Sequence, residues 1–340
     1  MPASSSDATV TVSASVPDLR WGTDRETTYV GALASALSVT AHPFTYDELM
    51  AASGLAFRTR WWRGASGADQ QFCPSSPVGE FPREMARLDR AIGWVQQVDV
   101  RFDQPGGFPD RLDDIKGSIE AGLPLLAYNQ NINVGVVYGF QGERLMVKDY
   151  DHGDLLVRVE ELGPMLIMLG DAGPPLGPDA WLKQALQGAV GDYSDEGYDS
   201  TKPGRYHTGA AALTQWMADL EHWREFEPDR QREMFHPHWW TFDCLYDARR
   251  AAARYLHAEG ERLGGSLGVE LHAIAALYEG LIKELGRSFR AKDVFLGPWT
   301  ERAYEDWTDV VRADERSMLA RVKAVDGEAA TRMAALLSRL

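Results

Sequence analysis

A chain of 340 residues is long enough for one large domain or two of ordinary size. Hydrophobic residues make up 44% and aromatic residues 10%, with 11 Trp, which supplies a core and excludes a disordered chain. The formal net charge of −15 repels a phosphate backbone and no stripe of Lys and Arg offsets it, so nucleic acid is not expected as a partner.

The N-terminal "MPASSSDATVTVSASVPD" lacks the charged start and apolar run of a signal peptide, so residues 1–17 read as a flexible tail or a short edge strand. A first helix is expected from Thr28 to about Val39, with Thr27 as its N-cap and Val30, Leu33 and Leu37 on one face. A second covers Tyr46–Ala52. "SGLAFRTRWW" then leaves through Gly54 into an extended stretch, with Phe57 and Thr59 on one side and Arg58 and Arg60 on the other. Helices follow from about Arg83 to Ile92 and over "LDDIKGSIEAG", the latter ended by Gly122.

A β meander comes next, with strands "LPLLAYN", "VGVVYGF", "RLMVKDY" and "DLLVRVEEL" joined by the turns "FQGE" and "DHGD". Helices first and an antiparallel sheet second make this part α+β. The Gly- and Pro-rich "GDAGPPLGPDAW" reads as a linker. Beyond it Leu213, Trp216, Met217 and Leu220 form one helical face, and Leu271, Ile274, Tyr278, Leu281 and Leu285 another. The segments from Trp299 to Val322 and "EAATRMAALLSRL" add two more helices. The expected domains are therefore an α+β domain over 18–174 and a helical domain or extension over 175–340, whose aromatic residues serve the core and in part a homodimer face.

The helix "TYVGALASAL", then "TYDELMAASGLAF", "GLPLLAYN" and "VGVVYGFQGERLMVKDYD", resemble the papain-like cysteine peptidase fold over roughly Arg20 to Asp171. The likeness is to its bacterial branch, the bacteriocin-leader peptidases and the N-terminal domain of butirosin-type acyltransferases. In that branch a Cys opens the first helix, a His precedes the strand ending in Gly-Tyr or Gly-Phe, and an Asp follows on the next strand. The helix start would lower the thiol pKa, the His would take its proton and the Asp would orient the His.

Carried onto this chain, those positions fall on Thr28, Asn133 and Asp149. Only the Asp is of the expected type. A threonine hydroxyl is not ionised at neutral pH without a base, and an asparagine amide is no base. The resemblance therefore implies a papain-like core without its ordinary Cys–His catalysis, kept to bind a small polar molecule or a peptide. Thr27, Thr28, Asn129, Gln130, Asn131, Asn133 and Asp149 would line that cleft.

Two alternatives stand beside it. An acyl- or aminoacyl-transferase or amide hydrolase would use Cys73 in the rigid loop "QQFCPSSPVGE", with His42, His152, His207, His236 or His238 as base. A non-catalytic interaction protein would assemble through the helical part. Arg58, Arg60 and Trp62 suit an anionic or aromatic ligand by charge pairing and stacking, or else form a strand face paired with surface acids. Arg249 either pairs with Asp243 or Asp247 or reaches into a site.

No cofactor is expected. Asp149, Asp151 and Glu160 hold the first, third and twelfth places of a calcium-loop pattern, but Asp154 stands where Gly is required and strands flank it, so a β-turn is the reading and metal is not expected. "FHPHWW" reads as a helix entry with Thr241 as N-cap, and Cys244 as a packed core thiol. The polar stretch 191–209 has the length of a lid or binding loop. Two cysteines without metal spacing fit a reduced, cytoplasmic protein, and the lack of an apolar run of about 18 residues predicts neither membrane span nor membrane partner.

Overall fold

The computed structural model describes residues 10–12, 15–20, 25–62, 82–101, 106–128, 133–194, 206–290 and 301–340. In chain order the elements are β1 (Val10–Val12), α1 (Thr28–Leu37), α2 (Tyr46–Ser53), β2 (Arg60–Trp62), α3 (Pro82–Ile92) and β3 (Trp94–Val100). There follow α4 (Leu112–Glu120), β4 (Leu125–Tyr128), β5 (Val134–Gln141), β6 (Arg144–Asp149), β7 (Gly153–Arg158), β8 (Met165–Ala172) and α5 (Pro178–Ser194). The chain closes with β9 (Tyr206–Thr208), α6 (Gly209–Glu221), α7 (Pro228–Leu263), α8 (Gly265–Arg290), α9 (Glu301–Asp306) and α10 (Asp309–Leu337). The fold is α+β with a helical C-terminal part, and it divides into two compact units, Met1–Leu49 with Asp89–Leu176 and Met50–Leu88 with Gly177–Leu340.

The first unit holds a seven-stranded sheet in the order β3-β8-β4-β5-β6-β7, with β1 added against β5. All its pairings are antiparallel. The expected meander is β4 to β7, and Gly142, at φ 62°, makes the tight β5–β6 turn that a side chain would strain. β8 was not foreseen: "MLIMLGDA" is an apolar run flanked by β3 and β4, and a strand covered on both faces shows no alternation to read. Leu125, Val137, Leu145, Val147 and Leu166 from the sheet pack with Ile115 and Ile119 of α4 and with Phe108. Each such buried side chain contributes about 1.5–3 kcal/mol.

In the second unit the buried face of α8 is the predicted one, and that of α6 is as well except for Met217, which is half-buried. Leu213 and Trp216 are fully buried, and Leu271, Ile274, Tyr278, Leu281 and Leu285 are at most 2% exposed. The predicted helix start at Thr241 is not there. α7 begins at Pro228 after the extended Glu227 and runs through Pro237, so Thr241 is an interior, buried residue. The segment from Trp299 to Val322 holds α9 and the start of α10, and α10 runs on without a break into the last predicted helix.

The segment Met50–Leu88, expected within the first domain, packs instead with the helical unit. β2 pairs with β9, and Trp61 stacks on Trp216 of α6 at 4.7 Å while its indole N–H donates to Asp219 at 2.7 Å. No helix among the described residues is long and apolar enough to cross a membrane.

Candidate functional site

In the first unit all ten residues of α1 are buried, because Gly31, Ala32, Ala34, Ser35 and Ala36 let neighbouring elements close on every side. Thr27 sits at its N-cap in extended conformation, yet its hydroxyl makes no capping bond and the first turn carries no acidic residue. The Thr27 N–H donates to the Tyr46 hydroxyl at 3.1 Å. On the far side of the helix start, the Tyr29 hydroxyl donates to Gln96 of β3, and burial holds the Tyr29 phenol far above its ordinary pKa.

The helix start is tied to the β6–β7 turn. The Tyr150 hydroxyl donates to the Thr28 carbonyl at 3.2 Å. Beside Tyr150, one oxygen of buried Asp149 accepts the backbone N–H groups of Asp151 at 2.9 Å and His152 at 3.1 Å, and faces His152 Nδ1 at 3.0 Å. The Asn133 amide donates to Asp151 Oδ2 at 3.3 Å. Thus Asn133, Asp149, Asp151 and His152 share one hydrogen-bonded turn, and Tyr150 of that turn ties it to the backbone carbonyl of Thr28. Its outer edge is His152, whose side chain is 64% exposed.

An ionised carboxylate only accepts, so Asp149 fixes the hydrogen of His152 on Nδ1 and leaves Nε2 as an outward acceptor. His152 is among the imidazoles read as candidate bases. His238 is fully buried, with Nδ1 accepting the Trp216 indole N–H at 2.9 Å and Nε2 at 3.1 Å from Glu315. The signal for the His152 pairing was present in "DYDH": a spacing of three across a tight turn brings both side chains to one edge. Asp149, Asp151 and His152 each place a ligand atom within 4.8 Å of the others, which is also a cation's spacing, but the bonding oxygen of Asp149 already takes three donors of its own turn.

Gly31 lets this junction close, because a side chain there would meet the Tyr150 hydroxyl. Gly31→Ala is expected to push that ring off Thr28 and cost about 1–3 kcal/mol in urea denaturation. An unchanged midpoint would show that Tyr150 moves aside freely and that the link carries no weight.

The remaining candidates belong to the second unit. Arg58 donates to Glu84 at 2.9 Å with both side chains buried, so it is neither exposed nor paired with surface acids. Burial pushes the Glu84 carboxyl up, opposed by the Arg58 guanidinium. Arg60 is 1% exposed and lies 5.3 Å from the Tyr206 ring, and Trp62 stands in β2 opposite Tyr206.

Arg249 pairs neither with Asp243 nor with Asp247 but with Asp326, through Nε at 2.9 Å and Nη2 at 2.5 Å. Its other donors go to the carbonyls of Ala56 and Arg58 and the Thr59 hydroxyl. With its five N–H groups so taken, the guanidinium is an internal cross-link rather than a ligand contact. Cys244 is a buried free thiol.

Cys73, Asn129, Gln130 and Asn131 lie outside the described residues, as does most of the stretch 191–209 read as a lid. No protein-family model matches the chain, and no curated protein matches it.

Proposed function

We propose that the first unit is a papain-like scaffold that has lost the thiol and imidazole of its ordinary chemistry and binds a small polar molecule or short peptide. The site is the start of α1 and the β6–β7 turn, in a reduced, cytoplasmic protein. The observation that supports this reading is the Tyr150–Thr28 bond, which ties the helix start to the turn holding Asp149, Asp151 and His152. Thr28 and Asn133 offer no ionised nucleophile and no base. What the group does offer is amide, carboxylate and imidazole hydrogen-bonding positions around an uncapped helix start, which suits a neutral or amine-bearing polar ligand.

The test is a thermal-shift screen of the full chain with amines, amino acids and dipeptides. A ligand at about a hundred times its Kd stabilises by about 2.7 kcal/mol. A hit is expected to shift the wild type and not Asp151→Ala. Hits that shift both proteins equally would place binding elsewhere.

One observation favours a second reading, acyl transfer by Cys73: the outward Nε2 of Asp149-held His152 is oriented as a general base requires. That reading expects Cys73 to alkylate with an apparent pKa well below 8.5 and to lose the shift in His152→Ala. An inert Cys73 removes it.

A further inference from the structure

The hairpin of α7 and α8 turns at Gly264 and Gly265, both at positive φ, which a residue with a side chain would resist. The two helices then run unusually close. A side-chain carbon on Gly268 would sit 2.4 Å from the Gly260 carbonyl, and one on Gly260 would sit 2.9 Å from the His272 ring. This notch seats His272 against α7 and brings its Nδ1 to 2.9 Å from His257 Nδ1. The other nitrogen of His257, Nε2, lies 3.0 Å from Glu279 Oε1.

The carboxylate decides the tautomer. Ionised Glu279 only accepts, so His257 carries its hydrogen on Nε2 and presents a lone pair at Nδ1. A histidine that gives its far N–H to a carboxylate while its near nitrogen faces a second imidazole is the usual outer arrangement of a metal-binding His. Metal–nitrogen bonds of about 2.0–2.1 Å at a right angle set the two nitrogens about 2.9 Å apart, whereas a tetrahedral angle needs about 3.4 Å. The 2.9 Å found fits the right angle but is equally the length of the N–H···N hydrogen bond of the metal-free pair, so it does not by itself select a geometry. Among divalent first-row ions Cu²⁺ and Ni²⁺ stand high in affinity for imidazole nitrogen.

We propose that His257 Nδ1 and His272 Nδ1 form a binding site for a divalent transition-metal ion of the Cu²⁺ or Ni²⁺ type, with Glu279 as the outer carboxylate that holds His257. In the metal-free state His272 donates its Nδ1–H to His257. On binding, that hydrogen moves to His272 Nε2, both Nδ1 lone pairs turn to the metal, and no net proton is released. Among the described residues no third His, Cys, Asp or Glu closes a three-ligand cluster here, so water completes the shell and positions stay open to exchange. The site is independent of the proposed ligand site in the first unit.

The test is calorimetric titration of the chelator-dialysed full chain with NiCl₂ and CuCl₂, together with electron paramagnetic resonance of the Cu²⁺ form. One ion per chain and hyperfine coupling to two nitrogens are expected. His257→Ala and His272→Ala should each lose this site. Glu279→Gln should keep the stoichiometry and weaken binding by about 10–100-fold. All three residues lie at least partly at the surface, so the variants are expected to melt as the metal-free wild type does. Absence of binding by the wild type, or unchanged binding by His257→Ala, would overturn the proposal and leave the pair as a hydrogen bond between two helices.

Discussion

Asp326→Ala is expected to destabilise the helical unit by about 3–5 kcal/mol, the cost of leaving a buried charge without its partner. Arg249 is fully buried, and Asp326 accepts from both Nε and Nη2. Once the carboxylate is gone the guanidinium keeps the Ala56 and Arg58 carbonyls and the Thr59 hydroxyl, none of which bears charge. Water cannot replace the lost partner without opening the bundle around this buried pair. Arg249→Met alone should cost a similar amount by stranding the Asp326 carboxylate. The double variant Arg249→Met, Asp326→Leu should recover much of the loss, because apolar groups of similar volume often replace a buried pair at little net cost. Urea denaturation of the wild type, Arg249→Met, Asp326→Leu and the double variant closes the cycle. A single-variant cost below about 1 kcal/mol would mean that solvent reaches the pair, as it does in exposed ion pairs.

This pair also shows where sequence reading reaches and where it stops. The apolar stripe of α8 is legible because Leu271, Ile274, Tyr278, Leu281 and Leu285 repeat with the helical period. The acid that meets Arg249 is not legible, because Asp326 lies 77 residues away and only the packing of α10 on the bundle brings it near. Asp243 and Asp247 were nearer in sequence and bonded neither way to it. α7 was hidden for a different reason: Pro237 reads as a break, yet a helix anchored at both sides tolerates the missing hydrogen bond. The transfer of Met50–Leu88 to the helical unit rests on Trp61 finding Trp216, a tertiary event that no local pattern announces.

At the candidate site, Thr28 could be placed at a helix start and Asp149 at a strand end from pattern alone. The orienting of His152 follows from a spacing of three. Tyr150 bonding to the Thr28 carbonyl does not, since it depends on Gly31 leaving room 119 positions earlier in the chain.

The start of α1 allows a decisive chemical test of the papain-like reading, through Thr28→Cys in a Cys73→Ser background. The thiol would stand at N1 of a helix whose Thr27 hydroxyl does not cap it and whose first turn has no carboxylate. Nothing there competes with a thiolate for the free N–H groups or for the positive end of the helix dipole. A thiol so placed is expected to titrate near 7 or below rather than at about 8.5. At pH 6 that difference alone gives about thirty times more thiolate. Ultraviolet absorbance of the thiolate against pH reads the value without requiring a reagent to enter, with the Cys73→Ser parent subtracted to remove Cys244.

If Asn133 stands opposite Thr28 as the papain-like reading requires, adding Asn133→His should lower the thiol further, because an imidazolium within reach stabilises the thiolate. The added His should in turn titrate above its usual value, each charge favouring the other, so the ion pair persists between the two pKa values and is lost above and below them. If Thr28→Cys titrates at or above the free-thiol value and Asn133→His leaves it unchanged, then neither the helix dipole nor the facing position acts as a papain-like site requires. The polar group around Asp149 would then be the closing of a β-turn and no more.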